Sequence, residues 1–80
     1  MTVATEARVA QVLSEVLEVP VQDVTRNKLL ADDLGADSLD FIKLWLTLEI
    51  EFDLGLEGGE VDSCTHVHHV YELIDRHTAV

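Results

Sequence analysis

Eighty residues with 16 acidic and 5 basic side chains, a formal net charge of −11, describe one small domain over residues 1–80. That balance excludes a nucleic-acid binder, which needs lysine and arginine along one face, and favours partners with basic patches. No run is apolar and long enough to span a membrane, the N-terminus lacks the basic-then-apolar layout of a secretion signal, and Cys64 stands alone, so a cytoplasmic protein with a buried thiol is expected.

Residues from Thr2 to Glu18 form the first expected helix. Val9, Val12, Leu13, Val16 and Leu17 recur at helical spacing as one apolar stripe, and Glu6, Glu15 and Glu18 occupy the polar side. Thr2 or Thr5 caps its start, and Pro20 ends it by pushing the preceding residue out of the helical region. Residues 19–36 are a long connection, a length that needs its own anchors; Val21, Val24, Leu29, Leu30 and Leu34 supply them. Gln22-Asp23-Val24 can make one helical turn, and Arg26 and Lys28 are basic residues set apart from the acidic half.

The second helix runs from Ser38 to about Phe52. Phe41, Leu44, Trp45, Leu48 and Phe52 form a stripe expected to face the core. Leu39, Ile42, Leu46 and Ile50 form a second stripe, rotated from the first. A helix this small in a bundle this small cannot bury both, so the second stripe is expected to be an exposed partner surface. A monomer is expected; self-association is the other use of such a face. Residues 53–59 are turn-rich, and Glu60-Val61-Asp62 forms a short third helix weakened by Gly58 and Gly59. Thr65 is the expected N-cap of the last helix, whose stripe is Val67, Val70, Tyr71 and Ile74. The fold class is therefore all-α: a small four-helix bundle of three main helices plus the short third, with a long loop between helices I and II.

The stretch Asp33-Leu34-Gly35-Ala36-Asp37-Ser38-Leu39-Asp40 joins that loop to the most apolar helix. Gly35 frees the bend, Asp37 and Ser38 are both good N-cap types, and the positive end of the helix dipole favours a phosphate diester at Ser38. The string resembles the prosthetic-group attachment site of acyl carrier proteins, whose hallmark is Asp-Ser-Leu. Glu51-Phe52-Asp53 at the helix end, Val24-Thr25 in the loop and the apolar last helix after Thr65 fall at that family's usual distances, so the resemblance covers nearly the whole chain.

The resemblance implies a non-catalytic carrier. A phosphopantetheinyl transferase would attach 4'-phosphopantetheine from coenzyme A to Ser38, flanked by Asp37 and Leu39, and the arm's thiol would hold an acyl group as a thioester. Partners would be that transferase and synthases, acyltransferases or reductases with basic patches. They would dock on Asp37, Leu39, Asp40, Ile42, Lys43, Leu46, Glu49 and Ile50. Acyl chains would lie between helix II and the last helix, among Leu30, Phe41, Leu44, Trp45, Leu48, Phe52, Cys64 and Val70. The bulk of Trp45 implies a small or closed pocket, unless the indole only fills space left by Ala31 and Cys64. Lys43 and Ile50 stand where family members commonly carry acids, which makes a polyketide or other specialised pathway at least as expected as fatty acid synthesis. Ala36 stands where peptidyl carriers usually have a second glycine.

Other chemistry is weaker in the sequence. Cys64 and His68, and His66 and His69, are paired at helical spacing but on different faces, and their spacing matches no common zinc pattern, so no metal site is expected. Asp32, Asp33, Asp37 and Asp40 lack the EF-hand order of acids and glycine. Ser38 has no local base for nucleophilic catalysis. The rival reading is a small acidic helical interaction module, an adaptor or a calcium-responsive protein, without a prosthetic group.

Overall fold

Four α-helices follow one another in a computed structural model that describes residues 2–78: α1 (Val3–Leu17), α2 (Ser38–Phe52), α3 (Gly58–Asp62) and α4 (Val67–Thr78). The threonine hydroxyl of Thr2 accepts the N–H of Thr5 at 3.1 Å and so caps α1. Its stripe buries Val9, Val12, Leu13 and Leu17. Glu18 ends it with φ of 56°, a left-handed conformation that lets Val19 N–H donate to the Ser14 carbonyl at 3.1 Å. Pro20 then leads into a single 3-10 turn, Val21–Asp23.

The long connection is held by its own winding and by α4. Leu29 N–H donates to Asp33 Oδ2 at 2.8 Å, and Leu34 N–H returns to the Leu29 carbonyl at 3.1 Å, which turns Leu30 and Leu34 into the core. Gly35 completes that turn at φ of 76°, a value side-chain-bearing residues adopt at a cost. Leu30 N–H donates to the Thr65 carbonyl, Val67 N–H to the Lys28 carbonyl and His68 N–H to the Arg26 carbonyl, at 2.9, 3.0 and 3.1 Å. Leu29 and His66 thus form an isolated antiparallel bridge that ties the loop before α2 to the start of α4.

The core gathers leucines and valines from every segment: Leu13, Leu30, Leu44, Leu48, Val61, Val67, Val70, Leu73 and Ile74 are essentially inaccessible. Each such side chain contributes roughly 1.5–3 kcal/mol by leaving water. α2 packs on α1 and α3, and α4 packs on α1 and α3. Arg8 of α1 grips the far end of α2, donating to the Glu51 carbonyl at 2.6 Å and lying 4.5 Å over the Phe52 ring.

Two boundaries and one core position differ from expectation. α3 begins at Gly58, two residues before Glu60. Glu60 Oε2 accepts the Glu57 N–H at 3.0 Å, and that cap offsets the poor helix propensity of the glycines. α4 begins at Val67 rather than directly after Thr65. The backbone of residues 65–67 is engaged with the loop ladder, and the ring of His69, not the Thr65 hydroxyl, accepts the first free N–H groups, those of Thr65 and His66, at 3.1 and 3.3 Å. Leu73 joins the buried stripe of α4, where only Val67, Val70, Tyr71 and Ile74 were expected.

Candidate functional site

The N-terminus of α2 carries a reciprocal cap. Asp37 Oδ1 accepts the Asp40 N–H at 2.9 Å, and Asp40 Oδ2 accepts the Asp37 N–H at 3.1 Å. Of the two candidate caps, Asp37 therefore does the work, and Ser38 is the first helical residue. Asp37, Ser38 and Leu39 are exposed. Among the described residues, the Ser38 hydroxyl makes no hydrogen bond, so its oxygen is free to be esterified without loss of a structural contact. The free N–H groups of the helix start and the dipole behind them suit a phosphodiester at that oxygen.

Beyond Ser38, α2 presents the second stripe to solvent. Leu39 is 66% exposed, Ile42 48%, Leu46 49% and Ile50 82%, values that rule out a core role for any of them. Lys43 on this side is exposed and makes no ion pair among the described residues. Glu49 is used differently from a free rim charge: its Oε2 accepts the Leu56 N–H at 2.9 Å and ties the connector after α2 to the helix.

The first stripe divides. Leu44 and Leu48 are buried in the core with Leu30 and Val70. Phe41, Trp45 and Phe52 are half-buried at its margin. The Trp45 Nε1 donates to the Leu56 carbonyl at 2.8 Å, beside the α2–α3 connector, and Ala31 is exposed. The cleft nearest Ser38 in sequence has a volume of about 250 Å³ and is lined by Leu29, Ala31, Asp32, Phe41, Asp62, Cys64 and Thr65. Its walls come from the loop before α2, the first turn of α2 and the α3–α4 connector, not from α2 and α4 facing each other. Of the expected pocket residues only Phe41 and Cys64 line it.

Cys64 is buried, and loss of water pushes its thiol up to about 11. Its Sγ lies 3.4 Å from the Glu60 carbonyl oxygen, so it is a satisfied wall rather than a nucleophile. Asp62, Asp32, Leu29 and Thr65 carried no local signal as cleft residues, because the loop–α4 ladder that assembles them joins distant segments. The histidines also group otherwise than their spacing implies: His66, His68 and His69 come together, and Cys64 is not among them.

A family model described as "Phosphopantetheine attachment site" matches residues 7–74. Among solved structures, the chain is similar to one described as a candidate acyl carrier protein from Mycobacterium tuberculosis, with 30% identity and a TM-score of 0.81 over 89% of this chain and 95% of that one. Family match, helical architecture and the free serine at a capped helix start agree: the chain belongs to the acyl carrier protein family, whose members hold covalently attached 4'-phosphopantetheine and are carriers rather than enzymes.

Proposed function

We propose that Ser38 is the residue that takes 4'-phosphopantetheine, and that the protein carries acyl intermediates for a polyketide or other specialised pathway. The observation that carries the first part is the division of labour at the α2 start, where Asp37 and Asp40 close the cap and leave the exposed Ser38 hydroxyl unbonded. When bound, the group supplies a thiol that holds an acyl chain as a thioester. The chain's own part is to present Ser38 at a rigid helix end, to offer Leu39, Ile42, Leu46 and Ile50 as an apolar docking strip, and to flank it with Asp37 and Asp40.

The pathway reading rests on Lys43 and Ile50. A partner with a uniformly basic patch, attracted by the net charge of −11, gains less here than on a strip edged by acids alone. Fatty acid synthesis is the alternative use of the same machinery. Partners are a phosphopantetheinyl transferase and pathway synthases, acyltransferases or reductases. No helix among the described residues is long and apolar enough to cross a membrane.

The test is intact mass after co-expression with a broad-specificity phosphopantetheinyl transferase. Wild type gains the mass of one phosphopantetheine group, and Ser38→Ala gains none while keeping its circular dichroism. A group mapped to Ser14 or Ser63, or no gain in wild type, overturns the assignment.

A further inference from the structure

The start of α4 holds three histidines that the carrier role does not use. Each of His66, His68 and His69 offers a ring nitrogen within 4.8 Å of the others. The ring centroids lie 5.2 Å apart for His66 and His68, 5.1 Å for His66 and His69, and 4.4 Å for His68 and His69. All three residues are half-buried, and the ladder to Arg26 and Lys28 restrains the backbone beneath them. They converge because His66 precedes the helix while His68 and His69 sit in its first turn.

Hydrogen bonds set the state of each ring. His68 Nδ1 lies 2.6 Å from Glu72 Oε2. The Glu72 carboxylate can only accept, so Nδ1 of the neutral ring donates to it and Nε2 presents its lone pair. A carboxylate behind the far nitrogen is the arrangement that orients metal-binding histidines and raises their basicity. His66 Nδ1 lies 2.9 Å from the Thr65 hydroxyl, which can accept its proton and leave Nε2 bare. His69 is different. Its Nδ1 accepts from the Thr65 and His66 amides, so its proton sits on Nε2.

We propose that His66, His68 and His69 form a binding site for one divalent first-row transition ion, with solvent at the remaining position. His66 and His68 bind through Nε2. His69 joins as the third ligand by giving up the two amides, its proton moving through solvent from Nε2 to Nδ1. Ligand nitrogens about 2.0–2.1 Å from the ion stand about 3.4 Å apart in tetrahedral geometry, so the rings must close inward by side-chain rotation. Imidazole ligands select zinc, copper or nickel over calcium and magnesium. The positive end of the α4 dipole opposes the ion, and the Glu72 carboxylate and the net charge of −11 offset it.

The experiment titrates the purified protein with zinc alone by calorimetry, and with cobalt alone to read tetrahedral absorption bands. One ion per chain is expected. His66→Ala and His68→Ala each weaken binding by at least about tenfold, and Glu72→Gln, which keeps every ligand, weakens it by about tenfold. His69→Ala weakens it by less, because release of the amides is no longer part of the cost. His68→Ala leaves that amide cap in place, so it decides the matter even if His69→Ala loses helix. Zinc affinity unchanged in the combined His66→Ala, His68→Ala, His69→Ala protein would mean that the acidic surface holds the ion, and it overturns the proposal, as does the absence of any heat or cobalt spectrum.

Discussion

At the scale of single residues, Asp37 and the serine proposed to carry the prosthetic group, Ser38, have separable duties. Asp37 accepts an amide of the first turn and its own amide is bonded in return by Asp40, whereas among the described residues the Ser38 hydroxyl makes no hydrogen bond. Asp37→Ala should therefore cost about 1 kcal/mol of stability, the usual price of a lost N-cap. Ser38→Ala should stay within about 0.5 kcal/mol, as surface substitutions do. Urea denaturation of the two variants against wild type measures the difference. Equal losses would show that the serine hydroxyl shares the cap.

At the scale of the element, α2 carries two apolar faces on one helix, and packing uses only one. Leu44 and Leu48 lock it to the core, and Arg8 and Glu49 fasten its far end to α1 and to the connector. The other face keeps Leu39, Ile42, Leu46 and Ile50 in water, the exposed apolar surface that the proposed docking would cover. Ile42→Asp should leave the unfolding free energy within about 0.5 kcal/mol of wild type. It should weaken the transferase complex on the order of tenfold, as expected when a central apolar contact worth more than 1 kcal/mol is lost. Binding measured by calorimetry, with NMR shifts mapped over residues 37–50, checks both halves. Unchanged affinity would move the docking face elsewhere.

At the scale of the whole molecule, a cleft of about 250 Å³ opens between the loop before α2, the start of α2 and residues 62–65, and it is where the proposed cargo would lie. Trp45 stands aside from it, fixed by its bond to the Leu56 carbonyl. Loading holo-protein with acyl chains of increasing length should raise the thermal midpoint for short chains, since a bound ligand stabilises the folded state, and then level off once the cleft of about 250 Å³ is full. Trp45 fluorescence should change little throughout. A midpoint that climbs steadily to long chains, or a large Trp45 response, would show that the core opens and that the indole lines the path.

Helix positions, the two faces of α2 and the capped start of α2 were legible in the sequence because each rests on near neighbours along the chain. Helical periodicity, a proline stop and a cap followed by an acid three residues on are local patterns, and local physics decides them. Even there, Asp37 and Ser38 were equal candidates for the cap until the Asp40 return bond separated them. What only the tertiary structure decided depends on segments far apart in sequence. The ladder between residues 26–30 and 65–68 sets the start of α4, brings Leu29 and Thr65 to the same cleft as Phe41, and restrains the backbone under the three histidines. Those contacts flank the buried Leu30, Val67 and Val70, and hydrophobic burial is non-directional, so no short-range pattern announces which distant backbone groups it will bring into register.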